Sequence, residues 1–74
     1  MHAIEINKDK IILELSKNEL GVLKNALNEV CNGIEVWEFH TRMGIKIEKA
    51  NLMLDSLISI YNQTNQMNPS IEEE

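Results

Sequence analysis

Residues 11–33 read IILELSKNELGVLKNALNEVCNG, and within this stretch the spacing of the apolar residues changes from two to about 3.6. Alternation around Glu14 is typical of a half-buried strand, whereas the later spacing is typical of an amphipathic helix. The apolar residues that recur at helical spacing, from within this stretch to the residue after it, are Leu20, Leu23, Leu27, Val30, Cys31 and Ile34. The change of period therefore predicts a strand that passes directly into a helix.

Residues 16–19, SKNE, have the pattern of a capping box at the start of this helix. In such a box the Ser16 hydroxyl accepts a hydrogen bond from the Glu19 backbone N–H, and the Glu19 carboxylate accepts one from the Ser16 N–H. We expect the helix to cover residues 17–32, with Gly33 as its left-handed C-terminal cap.

The residues before the strand also alternate, with Ile4 and Ile6 on one face. Residues 7–10, NKDK, separate the two runs and are typical of a turn. Reversal of the chain there would pair Ile6 with Ile11 and Ile4 with Leu13, which makes one face apolar. A β-hairpin is therefore predicted, and one of its edges could pair with a second subunit or with a partner's strand.

Two more helices are predicted after the first. The shorter covers residues 35–43 and ends at Gly44, and the longer runs from Ile47 to about residues 63–66. Their inward residues are expected to be Val36, Phe39, Met43, Ala50, Met53, Leu54, Leu57, Ile58, Ile60 and Tyr61. In the third helix they span about half of the circumference, more than the ~100° of an ordinary surface helix. Such a helix usually contacts two layers or a second molecule.

The predicted fold class is therefore α+β, an N-terminal β-hairpin followed by three α-helices (ββααα). We expect a single domain over residues 1–66. Residues 67–74, which end in three glutamates, are expected to form a disordered acidic tail.

Length and composition narrow the class of protein. A chain of 74 residues has little surface to bury, so a homodimer or a tight partner is expected to contribute to its stability. The single cysteine and the lack of a signal peptide favour the cytoplasm. No apolar run approaches the ~20 residues that span a bilayer, so no membrane role is expected. The formal net charge of −5 discourages phosphate binding and tolerates a basic partner.

The residues that could carry out catalysis are few and scattered. Cys31 lies on the apolar stripe of the first helix, and the two histidines, His2 and His40, are far apart in the sequence. The glycines are isolated, so no phosphate-binding loop is predicted. We therefore expect no enzymatic activity, no metal and no cofactor.

Residues 36–53 resemble a helix-turn-helix, because a short helix, Gly44 and a second helix follow each other with apolar residues around the glycine. Two features depart from that family. His40 occupies the place of the usual small residue, and the would-be recognition helix carries a mixed-charge set without arginine. A helix packing unit without a nucleic-acid role is therefore favoured, and DNA binding is kept as an alternative.

Two groups of residues are candidates for contact with a protein partner. Trp37, beside His40, either covers a small core, which we favour, or serves as an exposed binding residue. The outer face of the first helix, next to Gly21, carries a stripe of neutral amides that either faces solvent or hydrogen-bonds a partner. The candidate partner-binding residues are Asn18, Asn25, Asn28, Asn32, Trp37, His40 and Arg42.

Residues 19–44, ELGVLKNALNEVCNGIEVWEFHTRMG, resemble a family of small, largely uncharacterised bacterial proteins. The resemblance rests on residues 28–33 together with Phe39, Thr41, Arg42 and Gly44. It implies a bacterial cytoplasmic protein of immunity or antitoxin type.

The function expected from the sequence is a small cytoplasmic immunity-type protein that binds and neutralises a toxin, a basic nuclease. One alternative is a helix-turn-helix regulator or antitoxin that binds DNA. Another is a homodimeric scaffold in which the wide apolar arc of the third helix forms the interface.

Overall fold

The computed structural model describes residues 1–66 and has the predicted order of elements. Strand β1 (His2–Ile6) pairs with β2 (Ile11–Glu14), and α1 (Lys17–Asn28) continues into a π-helical turn (Glu29–Gly33). Two further helices complete the fold, α2 (Phe39–Met43) and α3 (Ile47–Asn65). The α+β class is confirmed, with an antiparallel hairpin followed by three α-helices. The predicted acidic tail lies outside the described residues.

The hairpin has the predicted turn, but its strands pair in a different register away from the turn. The Asn7 side-chain oxygen accepts hydrogen bonds from the backbone N–H groups of Asp9 and Lys10, at 3.2 and 2.9 Å. Ile6 lies opposite Ile11 as predicted. The predicted pairing of Ile4 with Leu13 is wrong, because Ala3 lies opposite Leu13 and Glu5 opposite Ile12. Ile4 is the extra residue of a β-bulge, which shifts the pairing by one residue.

The capping box forms at the start of α1. The Ser16 hydroxyl accepts a hydrogen bond from the Glu19 N–H over 3.0 Å, and Glu19 Oε1 accepts one from the Ser16 N–H over 2.9 Å. These bonds satisfy two backbone donors that a helix start would otherwise leave to solvent. The first residue of the helix, Lys17, is therefore the predicted one.

The end of α1 differs from the prediction. The α-helix ends at Asn28, and the Ile34 N–H donates to the Glu29 carbonyl over 2.9 Å, which closes a wider, π-helical turn. Gly33 is not in the left-handed region, so the predicted left-handed cap is wrong. A Cβ at Gly33 would overlap the Glu29 carboxylate, so the glycine makes room for that side chain. Ile34 then continues in extended backbone and is 55% exposed, not buried as predicted.

Helix α2 is shorter than predicted, since it begins at Phe39 and not at residue 35. Glu38, which precedes it, is left-handed at φ 54° and ψ 51°, and this conformation interrupts any helix that would start earlier. Gly44 ends α2, as predicted, and it lies in the left-handed region at φ 77°. The extent of α3 is also as predicted.

The core lies between α1 and α3. Among residues 1–66 the buried hydrophobic residues are Leu20, Cys31, Ala50 and Leu54. Cys31, Ala50 and Leu54 form one cluster, and the half-buried side chains packed against it are Leu27, Val30, Phe39, Ile45 and Ile58. Both strands, in contrast, are exposed along their whole length. The helices therefore supply the core, and the hairpin adds almost nothing to it.

Gly21 marks a close approach of α1 to α3. A Cβ placed on it would lie 3.2 Å from Tyr61 Cε2, so the tyrosine ring packs against the glycine backbone. The Lys17 and Lys24 ammonium groups lie 5.3 and 5.0 Å from the centre of the same ring. The sequence prediction placed Gly21 on the outer face of α1, and this is wrong, because Gly21 belongs to the contact with α3.

Candidate partner-binding surfaces

The most exposed aromatic side chain lies on residues 35–38, which we call the Trp37 corner. The chain leaves the π-helical turn in extended backbone at Ile34 and enters α2 through left-handed Glu38. Trp37 therefore precedes α2 and is 75% exposed. The favoured prediction that Trp37 covers the core is wrong. It assumed a helix from residue 35, which would have turned this side chain to the edge of the apolar stripe.

The Trp37 corner is acidic as well as aromatic. Glu35 and Glu38 flank the tryptophan and both are exposed. Within residues 1–66 the ion pairs join other residues, so neither carboxylate is neutralised by a close cation. His40 and Arg42, the candidates on α2, are exposed too, and the backbone N–H of Arg42 donates to the Glu38 carbonyl over 3.0 Å. The corner thus combines an apolar ring with unpaired negative charge.

The four candidate asparagines are all exposed, but they do not form one uniform surface. The Asn32 amide donates to the Asn28 side-chain oxygen over 3.1 Å, and the Lys24 ammonium donates to the Asn25 side-chain oxygen over 3.0 Å. Asn18 lies ten residues before Asn28, about 15 Å along the helix axis at 1.5 Å per residue. The pair Asn28 and Asn32 is at the end of the helix that leads to the Trp37 corner, and Asn18 is at the other end.

A second surface lies on the apolar arc of α3, which the sequence offered as the interface of a homodimer without dividing it into stripes. Met53, Leu57, Ile60 and Thr64 follow one another along α3 at spacings of four, three and four residues, and we call them the outer stripe. Met53 is 52% exposed and Ile60 is 49% exposed, although both were predicted to face inward. The inward side of α3 is taken by Ala50 and Leu54 against α1. The apolar arc of α3 was recognised in the sequence, but its division into a buried and an exposed stripe was not.

Two open grooves flank the outer stripe, and Leu57 lines both. One has a volume of about 430 Å³ and lies between α1, the end of α2 and α3. Its lining consists of Leu23, Ala26, Leu27, Val30, Met43, Met53 and Leu57. The other, about 380 Å³, is lined by Leu13, Leu15, Ser16, Lys17, Leu20, Leu57, Ile60 and Thr64. Leu23 and Met43, predicted as core residues, are 40% and 39% exposed on this face.

The polar groups of these grooves are already engaged. The Ser16 hydroxyl caps α1, the Lys17 ammonium donates to the Asn65 side-chain oxygen over 2.7 Å, and the Thr64 hydroxyl donates to the Tyr61 carbonyl over 2.7 Å. What the grooves offer a ligand is therefore apolar contact. Such a lining suits contact with another apolar surface.

The titratable groups add little to either surface. The carboxyl of Glu19 has a pKa below its ordinary value, chiefly because the Met1 ammonium donates to Oε2 over 2.7 Å and also because the Ser16 N–H donates to Oε1. Cys31 is buried in the core cluster. Within residues 1–66, no three His, Cys, Asp or Glu side chains lie together in a way that could hold a metal ion.

Comparison with known proteins identifies no relative of this chain. No family model, no curated protein and no solved structure matches this chain. In the described part of the chain, none of the helices combines the length and the apolar character that crossing a membrane requires.

Proposed function

We propose that this chain is a cytoplasmic, non-enzymatic protein of immunity type, which neutralises a basic toxin, a nuclease, by binding it through the Trp37 corner. The observation that carries the proposal is Trp37 itself, 75% exposed on a corner that a left-handed residue holds away from the core. A solvated tryptophan costs free energy that burial against a partner would recover. Tryptophan is among the residues most enriched at the energetic centres of protein interfaces.

The charge of the corner supports a basic partner. Glu35 and Glu38 lie beside Trp37 without a neutralising cation, and the whole chain carries a formal charge of −5. Nucleases have basic surfaces that bind nucleic-acid phosphates, and an acidic inhibitor is attracted to such surfaces before contact. Asn28 and Asn32, near the same end of α1, could hydrogen-bond backbone groups at the rim of the interface.

The same charges argue against the helix-turn-helix alternative. The start of α3, which would enter the DNA groove, carries Glu48 between the cap residue Lys46 and Lys49. DNA binders gain most of their affinity from several cations that neutralise phosphates. Residues 35–49 carry three acidic side chains, Glu35, Glu38 and Glu48, against three basic ones, Arg42, Lys46 and Lys49, so this end of the molecule has no net positive charge to attract DNA.

The test is a protection assay with matched variants. The gene adjacent to this one in the source genome would be expressed under inducible control in a host with or without the chain. We expect the neighbouring product to arrest growth and the wild-type chain to relieve the arrest. Trp37→Ala should fail to protect and should raise the Kd about 30-fold or more, as loss of a central interface residue does.

Val22→Ala is the control, because Val22 is a 65% exposed apolar residue on α1 away from the corner. This variant should protect as the wild type does. Replacing Glu35 and Glu38 together by glutamine should slow association, and the loss should be larger at low salt, where screening is weaker. A neighbouring product that is harmless, or a Trp37→Ala chain that protects fully, would contradict the proposal.

A further inference from the structure

We infer that a second copy of this chain covers the outer stripe, and that the protein forms an antiparallel, two-fold dimer through α3. This surface is separate from the Trp37 corner. Helix α3 carries two neighbouring apolar stripes, of which the inner one, with Ala50, Leu54 and Ile58, packs against α1 and the π-helical turn. Among residues 1–66, no element covers the outer stripe of Met53, Leu57, Ile60 and Thr64 in this way.

The spacing of the outer stripe is that of a helix pair. Steps of four, three and four residues repeat the pattern in which two α-helices supercoil and interlock their side chains. In an antiparallel pair centred between Leu57 and Ile60, Leu57 of one copy would face Ile60 of the other. Met53 would then face Thr64. Each contact occurs twice, as a two-fold interface requires.

The polar groups along the stripe are compatible with burial. The Thr64 hydroxyl already donates to the Tyr61 carbonyl over 2.7 Å, so its methyl group can be covered without leaving a donor unsatisfied. On its outer side the stripe is flanked by the uncharged Ser56 and Gln63, and Lys49 lies one turn before Met53. Asp55 lies on the opposite side of the helix.

The lack of acidic side chains on this face favours a copy of the same chain over a foreign basic partner. In a two-fold interface the face meets its own copy, so a net charge on the face would be repelled by the same net charge. This chain has a net charge of −5, yet the outer stripe is uncharged and no acidic residue is among the described residues that line either groove. The charged residue in the two linings is Lys17, whose ammonium donates to the Asn65 side-chain oxygen. A foreign basic partner would be expected to bind where the carboxylates are, as at the Trp37 corner.

The area of the face also suits a dimer. Its most exposed side chains are Leu13 at 48%, Leu23 at 40%, Met43 at 39%, Met53 at 52% and Ile60 at 49%. Together these five amount to about 400 Å² of apolar surface, at the scale that marks an interaction site. A chain with four buried hydrophobic residues in its described part would gain the rest of its core in this way.

The experiment is sedimentation equilibrium of the full chain and two variants, with circular dichroism to check that each is folded. We expect the wild type to be a dimer at micromolar concentration. Leu57→Glu should raise the dimer dissociation constant about 100-fold or more, because the change occurs in both copies. Leu52→Glu is the matched control, since Leu52 is a 61% exposed leucine on another side of the same helix. It should leave the dimer intact.

A second measurement tests the antiparallel register and covers the case in which Leu57→Glu does not fold alone. When the Leu57→Glu chain is mixed with an Ile60→Lys chain, opposite charges would meet across the proposed interface, and a folded heterodimer should form. A folded wild type that sediments as a monomer at 100 µM overturns the inference. The inference is overturned equally if that monomer binds a foreign protein through the outer stripe. Equal disruption by Leu52→Glu, or failure of the mixed variants to pair, also overturns it.

Discussion

Ser16 lies between the hairpin and α1, and its hydroxyl caps the helix by accepting a hydrogen bond from the Glu19 N–H over 3.0 Å. Replacing Ser16 by alanine leaves a backbone N–H at the helix start without a partner, and we expect the free energy of unfolding to fall by about 1 kcal/mol. Ser16→Asp, which keeps an acceptor oxygen, should retain most of the stability. Ser59→Ala, at an exposed position of α3 away from the outer stripe, is the control and should change little. Urea denaturation of the four chains measures the differences, and equal stabilities for wild type and Ser16→Ala would show that the cap contributes nothing.

Glu19 should make the stability depend on pH. Its pKa is held below the ordinary glutamate value by the Met1 ammonium and the Ser16 N–H, so the folded state binds a proton less readily than the unfolded state. The stabilisation is therefore fully present above the ordinary glutamate pKa and is lost as pH falls through the lowered value. Glu19→Gln keeps an acceptor for the capping box but cannot ionise. The stability difference between wild type and variant should shrink from pH 6 to pH 2, and a constant difference in thermal melts would contradict this.

Helix α2 lies between two residues with left-handed backbone, of which one is a glutamate and the other a glycine. Glu38, at φ 54°, carries a side chain in a conformation that suits glycine, whereas Gly44, at φ 77°, has open space around it. We expect Glu38→Gly to raise the free energy of unfolding by about 1 kcal/mol and Gly44→Ala to lower it by a similar amount. Denaturant titration of both variants checks the signs. A destabilised Glu38→Gly chain would mean that the glutamate side chain supports the corner by contacts that outweigh its backbone strain.

At the level of elements, most of the secondary structure follows from local sequence signals. The alternation before Ser16, the capping box and Gly44 each have a physical cause within a few residues, and the structure confirms them. The boundaries that were wrong lack such a signal. Nothing in residues 29–33 distinguishes a π-helical turn from an α-helix, and residues 35–38, EVWE, contain no glycine or asparagine to indicate a left-handed residue. Trp37 is exposed because α2 begins at Phe39 and not at residue 35.

At the scale of the whole molecule, the sequence predicts the order of the elements but not which side of α3 is buried. That choice depends on how α1 crosses α3, and the contact of Gly21 with Tyr61 is part of it. Periodicity alone assigned Met53 and Ile60 to the same arc as Leu54. The candidate site was predicted in part, since Trp37 and the exposed asparagines were named, whereas the outer stripe required the packing of the two helices to be known.

The location of the core residues along the chain has a consequence during synthesis. The buried cluster joins Cys31 to Ala50 and Leu54, so it cannot assemble until the ribosome has released α3. Until then the nascent chain holds only structure built from near neighbours, namely the Asn7 turn, the capped α1 and the hairpin. At about 5–20 residues per second, the ribosome takes one or more seconds to add the residues between Cys31 and Leu54. For that interval the apolar side of α1 is uncovered and open to chaperones.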